Sequence, residues 1–208
     1  MLDIVGNEPV FETGLLLAGS VDPAAVRRQL SRWTAAGRIY QLRRGLYAPA
    51  PPFQKVKPHP FLVANRMVRS SYVSLQSVLA SAGFIPEAVP VTTSVTTRRP
   101  GHWETPLGNF DFRHVKLDLF HGYQLVDVGS NQRAFVASPE KALLDLIHLQ
   151  PAGDNPKYLQ ELRLQNLERL NLERLLQMAH ATGSPKLCRA AEVVAKLAQV
   201  EAAEYETL

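Results

Sequence analysis

Seven side chains near the N-terminus have the types and the spacing that binding to a polyanion requires. They are Arg27, Arg28, Ser31, Arg32, Arg38, Arg43 and Arg44. Guanidinium groups neutralise phosphates and can bond guanine through two hydrogen bonds, and a serine hydroxyl can bond either a base or a phosphate. No aspartate or glutamate occurs between residues 27 and 57, so no carboxylate nearby in the sequence competes for these cations. The pattern predicts a site for double-stranded DNA.

The distribution of charge along the chain favours the same location. The formal net charge of the 208 residues is only +4, but residues 20–70 carry ten basic residues and one acidic residue. Residues 1–19 have a charge of −3, and the remainder of the chain is close to neutral. A positive field confined to one short segment favours a polyanionic partner at that segment.

A helix is predicted to carry the first four of the seven side chains. Asp22 is a suitable N-cap, and Pro23 occupies the first helical position, where its missing N–H costs nothing. One buried stripe at the helical period is expected from Val26, Leu30 and Trp33. Gly37 is the expected end of this helix. Because the apolar stripe occupies one face, the arginines are expected on the faces away from the core.

A β-hairpin is predicted to follow the helix at once. Residues 38–48 alternate around Arg43, Arg44 and Gly45, which indicates two strands and a basic turn. Tyr40 and Tyr47 are expected to pack in the hairpin rather than stack on bases. A basic helix followed by a basic hairpin is typical of a winged helix-turn-helix, in which the helix enters the major groove and the hairpin lies along the backbone. We expect such a domain over residues 1–50.

The rest of the chain predicts a second domain of mixed composition. Five prolines between residues 49 and 60 indicate a linker, which we place at residues 51–60. Helices are predicted over residues 61–69, 74–82, 138–149, 171–181 and 185–202, and strands over 91–97, 110–116, 123–128 and 133–137. A short helix is also predicted over residues 11–18, ending at Gly19. The expected fold class is therefore α+β, with the second domain spanning residues 61–208.

Several blocks of sequence occur in a specific order along the chain. The first is RRQLSRWTAAGRIYQLRRGLYA at residues 27–48, and the later blocks are YVSLQSVL at 72–79, GFIPE at 83–87, TTRRP at 96–100, TPLGNF at 105–110, FRHV at 112–115 and SPEKALLD at 138–145. Each block alone is weakly specific, but in their order and spacing the chain resembles the AbiEi-type antitoxins over roughly residues 10–200.

The resemblance implies the antitoxin of a type IV toxin–antitoxin operon. In that family the winged helix represses the operon promoter by binding inverted repeats, and the C-terminal domain counters the toxin. The implied partners are double-stranded operator DNA and a nucleotidyltransferase-like toxin of the AbiEii type, engaged directly or only opposed in its effect.

The residues themselves leave other functions open. The basic segment could bind protein or RNA and never DNA. Glu140, Lys141 and Asp145 could form a nuclease site, although Glu140 in a first helical turn also suits the helix dipole, and Asp145 could equally be a surface or hydrogen-bonding residue.

The histidines, above all His114 and His121, fit no standard zinc spacing. Because no P-loop, Rossmann fingerprint or nucleophile elbow occurs, we expect no enzyme, no cofactor and no metal.

Two further groups of residues allow two interpretations each. Arg98, Arg99, Arg113 and Lys116 form a smaller basic group, which either contacts DNA or a partner or is simply a solvated strand surface. The leucine-rich stretch from Leu159 to Leu176 is either a partner-binding surface or, as we expect, part of a packed core.

The location of the protein is also predicted from the sequence. The chain has no run of about 18 apolar residues, which a membrane-spanning helix needs. Its first four residues include Asp3 where a secretory signal has a basic residue, and Cys188 is the only cysteine. We expect a cytoplasmic protein with no membrane partner.

Overall fold

The computed structural model describes residue 5, residues 7–18 and residues 21–205, with side chains as far as residue 201. The fold class is α+β, with one three-stranded and one six-stranded sheet in this part of the chain. The first sheet and its helices comprise β1 (Phe11–Glu12), α1 (Thr13–Leu16), α2 (Pro23–Ala35), β2 (Ile39–Arg43) and β3 (Leu46–Pro49). The strand order is β1-β3-β2, and both pairings are antiparallel.

Helix α2 begins as its sequence predicts. Both carboxylate oxygens of Asp22 accept hydrogen bonds from backbone N–H groups, from Ala24 at 2.9 Å and from Ala25 at 3.1 Å. These bonds satisfy two of the donors that a helix leaves free at its start. The predicted stripe of Val26, Leu30 and Trp33 is buried. It packs against Phe11, Leu16, Ile39 and Tyr47 in a small core.

The predicted helix over residues 11–18 is wrong in its first two residues. Phe11 and Glu12 form β1 and pair with Tyr47 and Leu46, while the helix is confined to α1. Gly19, its predicted end, lies outside the described residues. The ring of Phe11 stacks on that of Tyr47 with 5.8 Å between centroids, so burial beside β3 outweighs the helical pattern.

The second sheet occupies the middle of the chain. Its elements and those around it are α3 (Pro60–Met67), β4 (Ser71–Val73), α4 (Leu75–Ser81), β5 (Val91–Thr96), β6 (Gly101–Thr105), β7 (Gly108–His114), β8 (Tyr123–Gly129), β9 (Gln132–Ala137), α5 (Pro139–Leu149), α6 (Pro156–Glu161), α7 (Leu172–Ala181) and α8 (Pro185–Tyr205). The strand order is β6-β7-β5-β4-β9-β8. The pairs β4–β9 and β5–β7 are parallel, and the other pairs are antiparallel.

A larger core joins the two sheets. It contains fully buried residues of the second sheet and of the helices around it, among them Met67, Tyr72, Phe110, Phe112, Leu143 and Ile147. The same cluster includes Leu42, Leu46 and Ala48 of the first hairpin. Strand β3 therefore has apolar contacts on both faces, because Tyr47 lies in the small core and its two neighbours lie in the larger one. The first sheet is packed against the rest of the molecule.

The proline-rich segment is fastened to the second sheet by one side chain. The amide nitrogen of Gln132 donates a hydrogen bond to the Lys57 carbonyl at 2.9 Å, and its oxygen accepts one from the His59 N–H at 2.8 Å. Among the residues described, no helix has both the length and the apolar composition that crossing a bilayer requires.

Candidate nucleic-acid interface

A groove of about 720 Å³ lies between α2 and the turn that joins β2 to β3. Its polar lining consists of Thr13, Arg27, Ser31, Thr34, Gln41 and Arg44. We call this feature the basic groove, since its two charged residues are arginines. Three of the seven residues predicted to bind DNA, Arg27, Ser31 and Arg44, therefore line one open cavity.

The face of α2 that borders the groove follows from helical spacing. Arg27, Ser31 and Thr34 recur at i, i+4 and i+7, so they lie on one side of the helix, next to the buried stripe. Arg28 and Arg32 are each one residue further round the helix, and at 100° per residue Arg28 points most directly away from the buried stripe while Arg32 lies beyond it, on the side away from the groove. All four predicted residues of this helix, Arg27, Arg28, Ser31 and Arg32, are exposed. The helix thus presents a basic edge to the groove and a second basic row beside it.

The turn between β2 and β3 is short and held in place. Arg43 pairs with Leu46, which leaves Arg44 and Gly45 as the two turn residues. Gly45 has a φ of +81°, a conformation that side chains rarely adopt, so glycine is required here. The backbone N–H of Thr13 donates to the Gly45 carbonyl at 2.9 Å, which fixes the turn to the start of α1. Arg43 and Arg44 are both exposed at this tip.

The carboxylates nearest to the interface are already engaged. Glu12 accepts a hydrogen bond from Arg69 at 2.6 Å, and this bond holds the pKa of the Glu12 carboxyl below its usual range. Asp22 lies 3.5 Å from the guanidinium of Arg28, but both side chains are more than half exposed, so the ion pair contributes little free energy and Arg28 stays available. The positive field of the groove is therefore retained.

Arg38 lies apart from the other predicted residues. It precedes β2 at the open end of the hairpin, roughly 20 Å along the strand from the Arg44 tip at about 3.3 Å per residue. Its guanidinium lies 5.9 Å from the centroid of the exposed Phe53 ring. The structure does not bring Arg38 into the basic groove.

Several polar residues of the interface were missed by the sequence analysis. Thr34 extends the row of Arg27 and Ser31, a position that helical spacing alone could have indicated. Gln41 is the exposed uncharged polar residue of β2, two residues before the exposed Arg43, and the alternation of the hairpin could have indicated it. The pairing of Arg69 with Glu12, by contrast, joins residues 57 positions apart and has no local signal in the sequence.

A second polar centre is buried between β4 and α5. One carboxylate oxygen of Asp145 contacts the Lys141 ammonium at 2.5 Å. The other oxygen accepts hydrogen bonds from the Tyr72 hydroxyl at 3.0 Å and from the Ser74 hydroxyl at 2.7 Å. Burial raises the pKa of Asp145, and burial together with the Asp145 charge raises the pKa of Tyr72. Ser74 therefore bonds Asp145, and its hydroxyl makes no capping bond to α4.

Glu140, Lys141 and Asp145, the three residues considered for a nuclease site, bind other groups of the fold. Both oxygens of Asp145 are occupied by neighbouring side chains, and Glu140 accepts a hydrogen bond from the backbone N–H of Asn171 at 3.1 Å. Glu140, Lys141 and Asp145 are all buried, and the cavity that Lys141 and Asp145 line has a volume of only about 10 Å³. Within the described part of the chain, no cluster of three or more histidines, cysteines or carboxylates could hold a metal ion.

The smaller basic group lies on the surface, and the leucine-rich stretch contributes to the core. Arg98, Arg99 and Lys116 are exposed, and Arg113 lies 3.6 Å from Asp111. In the leucine-rich stretch, the buried leucines are Leu159, Leu167, Leu170 and Leu175. That stretch contributes to the larger core, as expected.

No protein-family model matches this chain, and no curated protein matches it significantly. Its function therefore has to be argued from its own residues and geometry.

Proposed function

We propose that this chain is a sequence-specific DNA-binding repressor that also acts as the antitoxin of a type IV toxin–antitoxin system. The observation that carries the DNA-binding part is the basic groove, where Arg27, Ser31 and Arg44 line one cavity between a helix and a turn. A groove with two arginines, hydroxyl and amide donors and no carboxylate in its lining fits a phosphate backbone.

The order of the elements supports the same proposal. Strand, helix, helix, strand, turn and strand follow one another from β1 to β3, and the sheet order is β1-β3-β2. The same order of elements is expected of a winged helix-turn-helix from its first strand onward, which supports the proposal. In that arrangement α2 is the helix for the major groove, and the Arg43–Arg44 tip is the wing.

The antitoxin part rests on the resemblance of the sequence blocks to AbiEi-type antitoxins. It adds a toxin of the nucleotidyltransferase type as the second partner. The surface that would meet such a toxin is not assigned by the basic groove, so the two parts of the proposal need separate tests.

DNA binding is tested by fluorescence anisotropy with two labelled duplexes of equal length. One is the region upstream of the chain's own reading frame, and the other is an unrelated sequence. We expect tighter binding to the first duplex and a steep loss of affinity between about 50 and about 200 mM salt. Equal, salt-independent binding to both, or a preference for single-stranded RNA of similar length, would refute the repressor function in favour of an interaction module.

The antitoxin part is tested with point variants in cells. Removal of residues 1–50 is uninformative, since it would expose the core residues that contact Leu42, Leu46 and Ala48. We instead co-express the neighbouring reading frame with the Arg27→Ala/Arg44→Ala variant. If the variant no longer represses the promoter but the cells still grow, repression and toxin neutralisation are two separate functions. If growth and repression are lost together, the basic groove serves the toxin.

A further inference from the structure

Strand β8 is an outer strand of the second sheet. Its pairing with β9 is irregular only between Asp127 and Gly129, so the free edge from Tyr123 to Asp127 is regular. Outer strands leave a row of unpaired N–H and C=O groups, which proteins usually shield with lysine, proline or inward-pointing charge. The opposite outer strand, β6, follows Pro100 and carries His102 and Glu104. In β8 the one charged residue is Asp127, and its carboxylate accepts a hydrogen bond from the Gly129 N–H at 2.7 Å.

The direction of the backbone groups in β8 follows from a bond on the neighbouring strand. The Phe135 N–H of β9 donates to the Asn65 side chain at 2.6 Å, and the Phe135 carbonyl accepts from the same side chain at 3.4 Å. Both groups therefore point away from β8. Residues opposite each other in an antiparallel pair exchange either both hydrogen bonds or neither.

Leu125 is the residue of β8 opposite Phe135. Because Phe135 bonds in the other direction, Leu125 must point its own N–H and C=O outward, to the free edge. The period of two along a strand gives Tyr123 and Asp127 the same direction. Among the described residues, none donates or accepts a backbone hydrogen bond at these outward groups.

An apolar pair lies directly beside this edge. The side chain of Leu125 is 49% exposed and that of Phe135 is 43% exposed, and the two face each other across the strands on one side of the sheet. A free edge with a large apolar pair next to it has both the main-chain and the side-chain components of a strand-pairing surface.

We propose that β8 pairs with β8 of a second copy of this chain, antiparallel and with the two-fold axis at Leu125. Leu125 and its equivalent then exchange two hydrogen bonds, and Tyr123 lies opposite Asp127 on both sides of the axis. Two identical antiparallel strands are self-complementary, as a two-fold interface requires. The two Asp127 carboxylates lie about 14 Å apart along the strands, beyond the screening length of about 8–10 Å. The charge of β8 therefore does not oppose the pairing.

The experiment is sedimentation velocity of the full chain without nucleic acid, over a range of concentrations. We expect a concentration-dependent shift from the 23.1 kDa monomer to twice that mass. Leu125→Lys places two like charges opposite each other and should weaken association at least about tenfold. Leu117→Lys is the matched control, since Leu117 is 78% exposed elsewhere, and it should dimerise like the wild type.

A second variant tests the main-chain bonds directly. Leu125→Pro removes the outward N–H together with the leucine side chain but no hydrogen bond to β9, so the fold should survive, as circular dichroism would show, while the dimer is lost. A wild-type chain that is monomeric up to about 100 µM overturns the proposal. So does a Leu125→Pro chain that is folded and dimerises normally. The inference does not rest on DNA binding, because the basic groove belongs to the other sheet.

Discussion

Among the arginines of α2 and of the hairpin tip, position separates two ways in which the proposed DNA contacts could form. Arg44 is at the tip of a turn held by Thr13, where a side chain reaches the backbone of a duplex next to the bound helix. Arg28 and Arg32 lie on the outward row of α2, the part of a helix that faces base edges in a major groove. If the chain binds DNA as proposed, Arg44 should contact phosphate and the outward row should contact bases.

Replacement of Arg44 by alanine should weaken binding to every duplex by a similar factor. Because one phosphate contact is lost, the slope of log affinity against log salt should fall by about one. Anisotropy titrations at several salt concentrations measure this slope. Arg174→Ala is the control, since it removes one exposed positive charge from α7 and should leave the slope unchanged.

Replacement of Arg28 by alanine should instead change the preference between duplexes. If its guanidinium bonds a guanine, the loss should reduce discrimination by about 1–3 kcal/mol. Competition between the upstream duplex and single-base variants of it reveals the effect. An equal loss of affinity for all sequences would reassign Arg28 to a phosphate.

Substitutions at the buried polar centre around Asp145 should change the free energy of unfolding. Asp145→Ala leaves the Lys141 ammonium buried without a partner and should cost about 3–5 kcal/mol. The double variant Lys141→Met/Asp145→Leu removes both charges and should cost less. Urea denaturation compares the two. A double variant less stable than the single one would contradict this account.

At the level of elements, local signals in the sequence predict well where a helix or strand begins. They predict poorly those elements that form because of contacts with residues far away in the sequence. The start of α2 and the hairpin follow from Asp22, Pro23 and the Arg44–Gly45 turn, which act on their own neighbours. Strand β4 was not predicted, because it has only three residues and pairs with β5 and β9, which lie further along the chain. The same limit hid the partners of Asp145, since Tyr72 and Ser74 are more than 70 residues away. Strand β6 was missed although its partner β7 follows directly across the turn at Pro106 and Leu107, so a local hairpin signal was present there.

Helix α3 begins with a histidine cap whose strength should depend on pH. The Nδ1 atom of His59 accepts a hydrogen bond from the Phe61 N–H at 3.2 Å, which a protonated imidazole cannot do. Burial lowers the pKa of His59 below its usual 6.5. The unfolded chain therefore takes up the proton first, so this contribution to stability is present above pH 6.5 and is lost as pH falls.

The matched variant is His59→Asn, since asparagine accepts the same bond without titrating. Its melting temperature should fall less than that of the wild type as pH is lowered from 8 to about 5.5. The contact of the His59 ring with Phe61, 4.9 Å between centroids, is also lost, but that loss is the same at every pH. Parallel curves for the two proteins would show that the cap does not titrate.

For the whole molecule, the decisive feature is that the larger core extends under the first hairpin. The sequence predicted a separate domain over residues 1–50 because a proline-rich segment follows it. It could not indicate that Leu42, Leu46 and Ala48 contact the same cluster as Met67 and Tyr72. Alternating burial is visible in a sequence, but the identity of the surface that covers each face is not.

Both sheets should therefore unfold together. We expect a single peak in differential scanning calorimetry, with equal calorimetric and van't Hoff enthalpies. Leu46→Ala should lower the midpoint of that whole peak, through a loss of about 2–5 kcal/mol. Two resolved peaks, only one of which moves in the variant, would show that the N-terminal residues unfold independently.

The burial of β3 on both faces also limits how the hairpin can change its length during evolution. A slip of one residue would exchange the environments of Leu46 and Tyr47, placing the tyrosine ring where a leucine fits. An insertion within either strand causes such a slip unless a bulge absorbs it, as the irregularity between Gln41 and Arg43 already does in β2, whereas one between Arg44 and Gly45 leaves every strand pair in register. The tip is thus the place where the hairpin can become longer or change its charge without rebuilding either core.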